Sequence, residues 1–192
     1  MMKTIPIKRF LLCFALCSLG CKDKDSENPL PINEEIAALK TLGQKNDYLE
    51  KIFRADQDIR DGRDSELVLK YGLDSPEVKS FHSKMESIDA LNLEKIELYL
   101  KEFGYPNKDS VTTEAAMAPW IVIHHSMDVD KRKGFFSVLY QAYNDGFINT
   151  DQLELYLGRT YKFEYGTYPS GEGAYDPIEK INRLIEELNL KK

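Results

Sequence analysis

The sequence predicts a mainly α, irregular single-domain helical fold with one short extended segment near residues 160–167, and three observations carry that reading. Apolar residues recur at three- and four-residue spacing in successive windows of the chain. Capping residues, prolines and glycines fall at the ends of those windows, where helices start and stop. Strict polar/apolar alternation, the mark of a strand, is confined to Tyr161-Lys162-Phe163-Glu164-Tyr165. The chain carries no internal repeat, and residues 32–192 have the length of one domain, which buries about 70% of its unfolded surface.

Taken in order, Asn46 is expected to cap a helix running to about Asp61, with Leu49, Ile52 and Phe53 on one stripe. Ser75-Pro76-Glu77 opens a second helix, with Val78, Phe81, Met85 and Ile88 at helical spacing. Asn92 is expected to cap a third, Leu93-Ile96-Leu100-Phe103, which stops at Gly104 and Pro106. Ala115 to Ile123 is apolar on all sides, which marks a helix buried in the middle of a small fold, with Pro119 set to kink it. Asp130 to Asn144 contributes Phe135, Leu139 and Ala142 and closes at Asp145-Gly146. A short helix from Thr150 to Gly158 leads into the extended segment. Asp176-Pro177-Ile178-Glu179 combines a cap, a first-turn proline and an acid, opening a last amphipathic helix with Ile178, Ile181, Ile185 and Leu188.

The N-terminal residues read differently. Lys3, Lys8 and Arg9 precede an unbroken run of apolar and small residues from Phe10 to Leu19, too short to span a bilayer, which takes about 20 apolar residues. The run ends in Ser18-Leu19-Gly20-Cys21, which resembles a bacterial lipobox, with Ser18 where the usual pattern has Leu. The resemblance implies that residues 1–20 are a lipoprotein signal peptide and that Cys21 is lipidated, anchoring the chain to a bacterial membrane of the cell envelope. An ordinary secretory signal is the competing reading. Residues 22–31, charged and ending in Pro29-Leu30-Pro31, have almost nothing to bury and are expected to act as a tether. Their Lys/Asp/Glu-rich start also resembles the signal some Gram-negative lineages use to send lipoproteins to the outer face of the outer membrane.

Composition narrows the function classes. Cys13, Cys17 and Cys21 are the three cysteines, so a domain beginning after Cys21 holds no disulfide, Cys metal site or Cys nucleophile. Removing the three basic residues of the signal leaves 23 lysines and arginines against 32 acids, a formal charge of −9. That charge argues against nucleic acid and against attraction to anionic headgroups, leaving the acyl chains as the membrane contact. No P-loop, GxSxG elbow or HExxH helix is present. Asp56 to Gly62 fails as a calcium loop, because Arg60 takes a ligand position and the glycine falls one place late. No metal and no cofactor is expected.

Two places set polar chemistry on apolar faces. On an ideal helical wheel Ile52, Phe53, Asp56 and Arg60 all lie within about 60° of Leu49, so Asp56 and Arg60 share the core stripe at pairing distance. A buried ion pair is expensive to desolvate, so a used pair explains it better than a structural one, although snorkelling to water or pinning of loops is the simpler account. The second place is Ile123-His124-His125-Ser126. Adjacent helical residues point about 100° apart, so the two histidines do not chelate one metal together. His125 continues the face of Ala118, Ile121 and Val122, and is either a satisfied core histidine or a general base.

The ordered set Asp56-Gln57-x-x-Arg60, Gly104-Tyr105-Pro106, Ile123-His124-His125-Ser126, Leu157-Gly158-Arg159 and Glu164-Tyr165-Gly166-Thr167 resembles an uncharacterised bacterial family classed as a domain of unknown function, over about residues 46–170. The family pattern runs DQxxR, GWP, a QHA-type histidine, DR and QxYGT. Here Tyr105 stands for the Trp, His124 for the Gln, Gly158 for the Asp before Arg159, and Glu164 stands near the last Gln. The resemblance implies that Asp56, Gln57, Arg60, His125, Arg159, Tyr165 and Thr167 share one site. Two guanidinium forks with a Tyr-Gly-Thr loop suit a small anionic ligand, a carboxylate or phosphate. His125 oriented by Asp56 then suits a hydrolase- or transferase-like acid/base, while a non-catalytic surface module with a structural polar cluster is the alternative.

Overall fold

The computed structural model describes residues 30–170 and 176–191; the signal, the lipidation site Cys21 and most of the tether lie outside the described residues. Among the described residues the chain forms eight helices: α1 (Ile32–Ala37), α2 (Leu42–Asp58), α3 (Arg63–Tyr71), α4 (Pro76–Phe103), α5 (Thr113–His125), α6 (Val129–Asn144), α7 (Thr150–Tyr165) and α8 (Pro177–Glu187). The protein is mainly α, as its periodicity requires.

The all-apolar helix is the centre of the fold. α5 packs against α2, α4, α6 and α7, and Ala115, Ala118, Val122 and Ile123 are all buried on it. A helix with neighbours on every side has no face to give to water, hence the absence of a polar stripe. Thr112 caps it by accepting from the Ala115 amide, and the helix continues through Pro119 to His125. Trp120 donates its indole N–H to the Gln152 carbonyl at 3.0 Å, tying α5 to the first turn of α7.

Three boundaries in the first half of the domain differ from the sequence reading. α2 begins at Leu42 rather than beyond Asn46, because Thr41 and Gln44 form a reciprocal capping box. Asn46 lies inside the helix and accepts the Thr112 amide at 2.8 Å, which helps fasten the start of α5. α2 also ends at Asp58, so Arg60 sits in the turn that follows. Asn92 caps nothing: α4 runs unbroken for 28 residues, since Val78, Phe81, Leu93, Ile96 and Leu100 continue one stripe past it.

The extended segment near residues 160–167 is helical up to Tyr165, and Gly158 does not end the preceding helix. The alternation misled because each aromatic finds a partner at helical spacing or on another helix. Tyr161 and Tyr165, four apart, meet at 4.6 Å between ring centroids, while Phe163 lies 5.2 Å from the Arg159 guanidinium. α7 stops at Gly166, which takes the left-handed conformation (φ 77°) that closes a helix. α1 and α3 were not foreseen. α3 is only nine residues long and buries none of them, with Leu69 88% exposed, so its short apolar face of Leu67, Val68 and Tyr71 stands outside the core.

Candidate functional site

The site is built at the C-terminal end of α5, and a buried cation holds that end in place. Arg132, on α6, is fully buried and spreads its guanidinium between the end of α5 and the side of α7. Its Nη1 donates to the carbonyls of Ile123, His124 and Ser126 at 2.9, 2.7 and 3.0 Å. Its Nη2 donates to the Tyr156 carbonyl at 2.8 Å and its Nε to the Thr160 hydroxyl at 2.9 Å, both on α7. Helix C-termini expose unpaired carbonyls, and a cation there is favoured by the helix dipole as well. Tyr156 answers by donating its hydroxyl to the Arg132 carbonyl. Burial lowers the Arg132 guanidinium to about 10 and raises the Tyr156 phenol. Arg132 was missed in the sequence because nothing local distinguishes it from a surface arginine.

With the helix end clamped, His125 faces Asp56 across the α2–α5 interface. Its Nδ1 lies 3.0 Å from each Asp56 carboxylate oxygen. Asp56 is 1% exposed, and it also accepts from Gln57 Nε2 at 2.7 Å and from Arg60 Nη1 at 3.2 Å. A carboxylate only accepts, so it selects the form of the imidazole with hydrogen on Nδ1 and leaves Nε2 without a protein partner among the described residues. Arg60 reaches on to α4, where its Nη2 donates to both oxygens of Asp89 at 2.7 and 2.6 Å. The result is one chain of charge, His125–Asp56–Arg60–Asp89. Asp89 was absent from the sequence reading; it is 29 residues from Arg60 and no spacing rule connects them.

His125, Arg60, Asp89 and Arg159 all line one cavity of about 710 Å³, together with His82, Met85, Glu86, Ala90, Leu93, Ser126, Met127, Asp128 and Lys131. Most of its charged groups are engaged elsewhere. His82 pairs with Asp64 at 2.6 Å, Lys131 with Glu97 at 2.7 Å, and Asp128 caps α6 through the Lys131 amide. Arg159 is different: among the described residues its guanidinium makes no hydrogen bond or ion pair, its Nε is buried without a partner, and its ring contact is with Phe163. A larger hollow of about 740 Å³ between α2, α3 and α4 is floored by Ile59, Leu67, Phe81 and Ile88, and none of the expected site residues opens into it.

The structure therefore gathers Asp56, Gln57, Arg60, His125 and Arg159, and separates two others from them. Tyr165 and Thr167 do not line the cavity: Tyr165 is half-exposed and donates to the Glu187 carbonyl at 2.7 Å, and the Thr167 hydroxyl turns to the Tyr168 carbonyl. Continuing α7 as helix to Tyr165 carries these residues away toward α8. The grip expected from two arginine forks also becomes one, because both Nη atoms of Arg60 are occupied by Asp56 and Asp89. His124 points elsewhere, stacking on Trp120 at 5.0 Å between centroids. Burial and the nearby guanidinium groups of Arg159 and Arg132 push it down to about 3, so it is neutral at ordinary pH.

Among the described residues no three His, Cys, Asp or Glu side chains come together as a metal site, and no helix is long and apolar enough to cross a membrane. The chain matches no protein-family model, no curated protein and no solved structure.

Proposed function

We propose that this protein is a lipid-anchored domain of the bacterial envelope, of the uncharacterised family its motifs resemble, whose cavity binds a small anionic ligand between Arg159 and His125. The observation that carries the ligand reading is the pairing of an uncommitted guanidinium with an imidazole whose Nδ1 is held by a buried carboxylate. Arg matches carboxylate and phosphate groups by parallel N–H bonds, and Nε2 of His125 adds a further donor or acceptor beside it. The anchor rests on the lipobox-like Ser18-Leu19-Gly20-Cys21.

Calorimetric titration with acetate and with inorganic phosphate tests the reading. Arg159→Gln removes a guanidinium that makes no hydrogen bond or ion pair among the described residues and touches only the Phe163 ring, so it abolishes anion binding and leaves the unfolding midpoint within about 2 °C of the parent. Equal binding by the parent and Arg159→Gln refutes it. Cys21→Ala tests the anchor separately: it moves the protein from the membrane to the soluble fraction and removes the acyl mass.

A second reading is favoured by the same Asp56–His125 contact, which orients an imidazole as proton donor or acceptor in hydrolysis or group transfer. His125→Ala then eliminates turnover of an activated ester or phosphate while Arg159-dependent binding survives. Retention of that turnover in His125→Ala ends the enzymatic reading.

A further inference from the structure

The anion-binding reading leaves most of the cavity unexplained. A space of about 710 Å³ is the size that holds a drug-sized molecule, far larger than one acetate or phosphate. Its apolar lining comes from α4, which supplies Met85, Ala90 and Leu93, and from the turn between α5 and α6, which supplies Met127. Met127 is 65% exposed. Methionine is unbranched and polarizable, so two of them on one cavity form a surface that adapts to flexible apolar partners.

The charges of the cavity limit the head group. Arg60, Lys131 and His82 are each paired with a carboxylate, and Asp128 is used as a cap. The uncommitted cation is Arg159 alone among the described lining residues. Glu86, Asp89 and Asp128 also line the space, so a second negative charge on a ligand meets repulsion without a further cation to offset it. One negative charge is what the site neutralises, which favours a carboxylate over a phosphate dianion.

We infer that the ligand is an aliphatic monocarboxylate, an acyl chain whose head group lies between Arg159 and His125 and whose hydrocarbon covers Met85, Leu93 and Met127. This rests on the anion site proposed above and adds the class of molecule that fills it. Burial of each methylene then increases affinity about fourfold until the apolar wall is covered. The chain gives selectivity among carboxylates, and the guanidinium excludes the corresponding alcohols.

The test is calorimetric titration of the purified full chain with acetate, butyrate, hexanoate, octanoate, 1-octanol and inorganic phosphate at constant ionic strength. Methyl-labelled methionine resonances of Met85 and Met127 report where the chain lies. The expected result is affinity rising about fifteenfold with each pair of methylenes until the apolar wall is covered, octanoate at least tenfold tighter than octanol and phosphate, and shifts at both methionines. Met85→Ser with Met127→Ser flattens the chain-length series and leaves acetate unchanged, whereas Arg159→Gln weakens every carboxylate alike. Acetate and octanoate binding equally well through Arg159 overturns the acyl-chain inference and leaves the anion site standing. Phosphate binding tighter than octanoate overturns the monoanion assignment, and absence of binding by every anion overturns both.

Discussion

Replacing Arg132 by methionine removes every donor from the clamp while keeping an aliphatic side chain in the space. Five hydrogen bonds from a charged donor are lost, to the carbonyls of Ile123, His124, Ser126 and Tyr156 and to the Thr160 hydroxyl. Bonds to charged groups are worth about 1.5–3 kcal/mol each, against which the several kcal/mol spent on desolvating a buried cation is recovered. The carbonyls left behind at the end of α5 have few alternatives, because Ile123 and Ser126 are buried away from water. The net expectation is a loss of about 3–5 kcal/mol, seen in urea unfolding as a lower midpoint and in heating as a fall of roughly 10 °C. Arg132→Lys keeps the charge, yet one ammonium cannot fan across α5 and α7, so it recovers less than half of the loss. A loss below about 1 kcal/mol in Arg132→Met refutes the argument: the desolvation cost would then equal the bonds formed, and the position of His125 would owe nothing to this residue.

Two further predictions concern stability alone. Burial and the neighbouring guanidinium groups hold His124 down to about 3 in the folded protein, against an ordinary value of 6.5, so the unfolded chain takes up a proton over that window which the folded protein refuses. Stability from this residue is full above about pH 7 and falls as pH drops, by at most about 2 kcal/mol at pH 5; the difference between the parent and His124→Gln in urea titrations across pH 4–7 measures it, and parallel curves refute it. Gly158 and Gly166 lie in and just after α7, and the same substitution acts on them with opposite sign. A Cβ at Gly158 meets nothing within 4 Å, so Gly158→Ala stabilises by about 0.5–1 kcal/mol. Gly166 holds φ 77°, so Gly166→Ala destabilises by about 1 kcal/mol; equal thermal shifts in the two variants contradict the account.

The sequence by itself determined the parts of this protein that depend on neighbours along the chain. Helical class follows from apolar spacing. The starts of α4 and α8 follow from Ser75-Pro76 and Asp176-Pro177, and the central place of α5 follows from its lack of any polar face. The Asp56–Arg60 pair was legible for the same reason, four residues apart along one segment. Where local rules competed, they misled: Asn92 looked like a cap although a longer stripe ran past it, and alternating aromatics looked like a strand although each packs within or beside a helix. Only the tertiary structure decided the site. His125 meets Asp56 across 69 residues and Arg60 meets Asp89 across 29, distances at which no periodicity links two side chains. The same holds for Arg132, whose partners at the end of α5 and on α7 come within its reach only once α5, α6 and α7 have packed. Burial converts these ordinary polar side chains into a fixed network, because inside the fold each donor and acceptor must find its partner in the protein rather than in water.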